Sequence, residues 1–224
     1  MQREVRRFQA HGCRCDAASC PRGRRILHHR YWQDRYAKGG TSGDGSDGRL
    51  ASFKAEVVNS FLREHDVSSA IEFGCGDGNQ LSLMTYAKYT GLDVSGAAVT
   101  RCSDRFADDP TKSFFVYDPE AYHDPLGVFR ADVALSLDVI YHIVSDATFD
   151  LYMTHVCAAA SRFLIVYSTD FDGSETPHVR HRAFTEWIRS HRADFRLVKS
   201  VLNPYAGTGE QESNAAFFIF ERTP

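Results

Sequence analysis

The chain predicts an α/β fold: seven short strands in one mostly parallel sheet, helices on both faces, and an antiparallel hairpin at the C-terminus. Three observations predict it. Short apolar runs alternate with segments of helical period over most of the chain, the pattern of parallel strands joined by crossover helices. The first run, Ala70-Ile71-Glu72-Phe73, stops in a glycine turn, Gly74-Cys75-Gly76-Asp77-Gly78. The last two runs, near Phe195–Leu202 and Ala215–Phe220, are separated by a loop holding Pro204, Gly207 and Gly209, which reads as a hairpin.

Length and charge narrow the classes. A chain of 224 residues with 43% hydrophobic content accommodates one such domain with some extra at an end. No apolar run has the length of a membrane span and no signal-peptide core follows the basic start, so a cytoplasmic protein without a membrane partner is expected. The net charge of −3 is unevenly spread: residues 1–35 carry nine arginines against three acids, net +6, which leaves −9 for the rest. An acidic body suits nucleic acid poorly, so no nucleic-acid partner is expected. The six cysteines are scattered, which speaks against a disulfide framework.

Taken in order, residues 1–25 read as a basic arm without periodicity. Its His11-x-Cys13-x-Cys15-x4-Cys20 cluster is more compressed than the usual paired zinc ligands; an arm without metal is expected, with a structural zinc as the alternative. Residues 26–48 read as an aromatic helix (Leu27, Tyr31, Trp32, Tyr36) followed by a loop with five glycines, a lid over a ligand or else a plain linker. Residues 49–224 form the main domain. Asp47 caps a helix whose apolar face is Leu50, Phe53, Val57, Phe61 and Leu62. The glycine turn opens a second helix through Leu81 and Met84. Tyr89–Asp93 is the second strand, and Ser95 caps the helix after it. Ser113–Asp118, Ala131–Leu137 and Phe163–Tyr167 are the third to fifth strands, with a helix over 146–160 between the last two. Thr176–His181 begins a polar, basic stretch ahead of a helix with Phe184, Trp187 and Ile188.

Glycines directly after a buried strand let a ligand approach bare backbone at the carboxyl edge of a sheet. A dinucleotide fingerprint places its third glycine at position 79, where Asn79 stands. The sequence has instead an acid followed by G-x-G-x-G: Glu72, Gly74, Gly76 and Gly78. Asp93 follows 21 positions after Glu72, where a strand-end acid holds a ribose diol or merely caps the next helix. This set, with the segment Ser136–His142 and the closing hairpin, resembles the class I S-adenosylmethionine-dependent methyltransferases over roughly residues 50–222. The resemblance implies a Rossmann-like sheet and S-adenosyl-L-methionine as cofactor. It implies cofactor contacts from Glu72, Gly74, Cys75, Gly76, Gly78, Asp93, Val94, Asp118, Leu137 and Asp138, with Asp118 meeting the adenine. The lid and the segment after strand four bring Tyr36, Tyr141 and His142 to the acceptor. His142 is the candidate base, or else a wall of the pocket. The basic residues His178, Arg180 and Arg182 suit an anionic group, or else a solvated helix start. The expected enzyme methylates a small polar molecule, sugar-like or a natural product, at oxygen. N- or S-methylation, an NAD(P)-dependent oxidoreductase and a non-catalytic binding module are the alternatives.

Overall fold

The computed structural model describes residues 30–176, 178–207, 209 and 213–223. The basic arm of residues 1–25, with its Cys/His cluster, and residues 26–29 lie outside the described residues. Helix α1 covers residues 30–37, and α2 spans Gly48–Glu64 with Asp47 accepting from Gly48 N–H at its start. The sheet strands are β1 (Ala70–Phe73), β2 (Tyr89–Asp93), β3 (Lys112–Val116), β4 (Ala131–Leu137), β5 (Ala160–Ser168), β8 (Phe195–Leu202) and β9 (Ala216–Arg222). Helices α3 (Gly96–Arg105), α4 (Asp146–Ala159) and α5 (Phe184–His191) join them, and a small hairpin, β6 (Gly173–Thr176) with β7 (Val179–His181), stands apart.

The strand order is β3-β2-β1-β4-β5-β9-β8. The first five strands run parallel, and β9 inserts antiparallel between β5 and β8. The chain reverses direction across the sheet between β1 and β4, and the crevice beyond the strand tips at that point is where open α/β sheets bind ligands. Alternation builds two cores. Val133, Leu135, Phe217 and Ile219 face α2 and Cys102 of α3, while Ile71, Phe73, Leu164 and Phe220 face α4 and α5. Strand β1 is buried at all four positions because it has neighbours on both sides and helices on both faces.

Three segments differ from the sequence expectation. After the glycine turn there is no α-helix, only a 3-10 turn at Leu81–Leu83. Ten residues separate Gly78 from β2, and side chains compete for their backbone: Asn59 accepts from Thr85 N–H and donates to Leu83 O, and Ser82 donates to Asn79 O. Met84 and Tyr86 are thereby turned into the core, Tyr86 stacked on Tyr89. Strand β3 ends at Val116, two residues early, because Tyr117 swings into the core against Phe73 while its N–H bonds Asp93 O. The basic stretch at 176–181 belongs to the β6–β7 hairpin.

Candidate active site

A cavity of about 350 Å³ lies at the crevice, between the glycine turn, the tip of β2, the segment after β4, and α1 with its loop. The turn is pinned to the sheet by Gly74 and Cys75 N–H groups, both donating to Leu92 O. Gly74 has φ +91°, and a Cβ there would meet Val139 Cγ2 at 2.4 Å; Gly76 has φ +60°, and its Cβ would meet Ser42 Oγ at 2.4 Å. Both conformation and space therefore demand glycine, which leaves backbone without a Cβ along this wall of the cavity.

Four acids line this space: Asp44 in the loop after α1, and Glu72, Asp93 and Asp138 on the floor. Asp93 is buried, one oxygen accepting from Gly76 N–H (2.9 Å) and the other from Ser95 N–H (2.8 Å). Glu72 is fully buried and accepts from Tyr89 OH at 2.6 Å; burial, opposed by that hydrogen bond and by the Lys54 charge, raises its pKa to about 7. Asp138 holds a left-handed backbone, φ +60°, and is fixed by Lys54 Nζ at 2.5 Å and by the Tyr141 hydroxyl at 2.7 Å. A non-glycine residue in that conformation is strained, and a strained residue at a strand tip points to a functional position. Lys54 is 1% exposed, so its charge is met inside the protein by Asp138 and by the face of Tyr167. Gln80 completes the floor: its Nε2 donates to Ala51 O, and its Oε1 is buried with no partner among the described residues. One cation among three carboxylates leaves the floor net negative, suited to a cationic ligand.

The roof is α1 with residues 38–47, tied down at four places. Gln33 Oε1 accepts from Ser95 Oγ and Ala97 N–H at the start of α3. Arg101 of α3 donates to the carbonyls of Gly40 and Tyr36. Asp77 of the glycine turn accepts from Ser42 N–H and Oγ, and Asn79 Nδ2 donates to Ser46 O at 2.6 Å. Tyr36 is buried beneath this strap with its hydroxyl on Ser42 Oγ, and burial pushes its ionisation well up.

A family model described as a methyltransferase domain matches residues 71–165, the span that holds the glycine turn, Asp93 and the segment after β4. Residues 71–165 therefore carry a methyltransferase domain. Solved structures agree on the fold. The magnesium protoporphyrin IX methyltransferase ChlM from Synechocystis PCC 6803, with bound S-adenosylhomocysteine, superposes with a TM-score of 0.66 at 14% identity, covering 89% of this chain and 100% of that one. The N-methyltransferase NodS from Bradyrhizobium japonicum WM9 gives 0.67 at 13%, covering 88% and 99%. The small RNA methyltransferase HEN1 gives 0.60 at 17%, covering 78% of this chain and 25% of that one. No curated protein sequence matches the chain.

The methyltransferase cavity fits its cofactor. The bare turn at Gly74–Gly76 admits close backbone contact, the carboxylates would suit a sulfonium and an amino group, and Gln80 Oε1 offers a buried acceptor. Of the residues expected to hold the cofactor, Glu72, Gly74, Cys75, Gly76, Asp93, Val94, Leu137 and Asp138 line the cavity. Gly78 does not; it backs onto Phe106 and Cys102 behind the turn. Asp118 is not brought there either. Because β3 ends early, its carboxylate is exposed and accepts from Glu120 N–H in the next turn.

Among the expected acceptor residues, Tyr36, Tyr141 and His142 line the cavity. His142 closes a 3-10 turn (Ile140–His142) and meets the edge of Trp32 at 5.1 Å and of Tyr141 at 4.6 Å. His178 stacks on Tyr31 at 5.7 Å, outside the cavity lining. Arg180 and Arg182 point elsewhere: both pair with Asp146, both donate to Val144 O, and Arg182 also donates to Ile143 O. They brace the loop that carries His142, which gives the two arginines a structural role.

Lys54, Gln80 and Ser42 line the cavity and Asp77 ties the loop over it, and sequence reasoning assigned none of them to the site. Lys54 had a signal: it lies four residues from both Leu50 and Val58, on the buried stripe of α2, where an unpaired cation is costly.

Proposed function

We propose that this methyltransferase acts on a small polar molecule, natural-product-like, at oxygen, with His142 as the base, and that it meets this acceptor in the cytoplasm. The roof carries this reading. The strap and α1 cover the cavity, whose volume of about 350 Å³ falls in the range of small-molecule sites, and Trp32, Tyr141 and His142 border it on the side away from the glycine turn. The acidic body argues against a nucleic-acid acceptor. Among the described residues no helix is long and apolar enough to cross a membrane.

When bound, the cofactor supplies an electrophilic methyl on a sulfonium. The protein orients and dries the reactants, and such positioning accounts for several kcal/mol, up to roughly 7–11. A hydroxyl nucleophile must lose its proton as the methyl arrives. Asp138 is a poor recipient, since one oxygen is engaged by Lys54 and the other by Tyr141. His142 borders the same space on a turn braced by Arg180 and Arg182.

The test is conversion of S-adenosylmethionine to S-adenosylhomocysteine against paired panels of hydroxylated and amino small molecules. Hydroxyl acceptors are expected to turn over, with His142→Asn lowering kcat about a hundredfold and leaving cofactor affinity unchanged. Turnover of amines alone, indifferent to His142, would sink the oxygen assignment.

A further inference from the structure

Two cations line the cavity, Lys54 and Arg35, and they differ in kind. Lys54 is consumed by Asp138. Arg35, on α1, is anchored at two of its three nitrogens: Nε donates to Thr41 O at 2.6 Å and Nη1 to Tyr31 OH at 3.3 Å. Its centre lies 5.9 Å from the Trp32 ring. Nη2 has no hydrogen-bond partner among the described residues, and no carboxylate there pairs with Arg35. A guanidinium held at two nitrogens and open at the third is preorganised for an anion, with little further entropy to lose.

Arg35 and His142 flank the same indole, 5.9 and 5.1 Å from its centre. Both also line the one cavity, so an acceptor seated against Trp32 has both within its site. Its surroundings are π-faces and edges: Trp32 meets Tyr31 at 82° and His142 at 74°. We propose that Arg35 is the specificity-determining residue of the acceptor site and that the acceptor is a hydroxylated aromatic acid, its carboxylate on Arg35, its ring against Trp32 and its hydroxyl at His142. The proposal rests on the small-molecule, O-methylating reading above. It also moves the anion-binding role from Arg180 and Arg182, which are spent on Asp146 and backbone carbonyls, to a residue with one guanidinium nitrogen, Nη2, open.

The experiment is calorimetric titration of the protein saturated with S-adenosylhomocysteine, using 4-hydroxybenzoate and its uncharged counterpart, 4-hydroxybenzyl alcohol. In the wild type the acid is expected to bind at least tenfold more tightly than the alcohol. Arg35→Gln should abolish that preference, Arg35→Lys should restore part of it, and affinity for S-adenosylhomocysteine should stay within about twofold in both. Because acid and alcohol are compared on one variant, any loosening of the strap through Thr41 cancels. Equal binding of the two probes by the wild type, or binding of neither, overturns the proposal. So does an Arg35→Gln variant that keeps the acid preference while losing cofactor affinity, which would place Arg35 on the cofactor carboxylate. Each of these results leaves the His142 test untouched, so failure of the acceptor class is distinguishable from failure of the O-methylating reading.

Discussion

Lys54→Met is expected to destabilise the protein by about 3–5 kcal/mol, because removing one partner of a buried ion pair strands the other. Lys54 Nζ sits 2.5 Å from Asp138 in a site where the lysine is 1% exposed, and its stem is packed on α2 among Leu50, Ala51 and Val58. Methionine replaces the stem but leaves Asp138 facing Glu72 and Asp93 with no nearby cation, in a backbone conformation that already costs energy. For a chain of this size the loss corresponds to a fall in Tm of roughly 6–20 °C. The control is Lys54→Met with Asp138→Asn, which removes the stranded charge and should recover a large part of the loss. Thermal melts of the wild type, the single and the double variant decide it. A single variant within about 1 kcal/mol of the wild type would mean that the pair contributes nothing net.

The second large effect is a pH dependence carried by Glu72. Burial raises its pKa to about 7 in the folded protein, above the ordinary value of 4.5. Between those two values the folded state keeps a proton that the unfolded state has released, so stability falls as pH rises from about 4.5 to 7. The full cost, present above that window, is about 3 kcal/mol. Glu72→Gln can still accept from Tyr89 OH but has no charge to bury, so it should be more stable than the wild type at pH 8 and indistinguishable from it near pH 4.5. Urea midpoints of both proteins at the two pH values make the comparison. His155, whose pKa burial lowers, contributes the opposite slope to both proteins and cancels in the difference. Parallel curves for the two proteins would show that the carboxyl is not raised.

Period and punctuation make most of the fold legible in the amino-acid sequence. The apolar runs of β1, β4 and β5, the caps at Asp47 and Ser95, and the glycine turn each agree with the observed elements because local preference and burial coincide there. Legibility fails where tertiary contacts overrule local preference. Leu81 and Met84 are spaced for a helix, yet Asn59, twenty-odd residues earlier, takes the backbone groups that a helix would have used. Asp118 reads as a strand-tip acid because nothing local reveals that Tyr117 turns inward first. For the site, backbone-defined positions such as Gly74, Gly76 and Asp93 are readable from spacing. Arg35, Lys54 and Gln80 are not, since their roles come from which element folds over which.

The strap has a consequence for the order of events. The same segment that covers the cofactor cavity, tied by Ser42 to Asp77 and by Arg101 to Gly40, also carries Tyr31, Trp32 and Arg35 on its helix. With the strap raised there is a place for the cofactor but only half a wall for the acceptor. With it lowered the acceptor wall is complete and the way in for the cofactor is shut. Compulsory entry, donor before acceptor, is therefore the expected order, and S-adenosylhomocysteine inhibiting competitively against S-adenosylmethionine but not against the acceptor is the kinetic pattern that checks it.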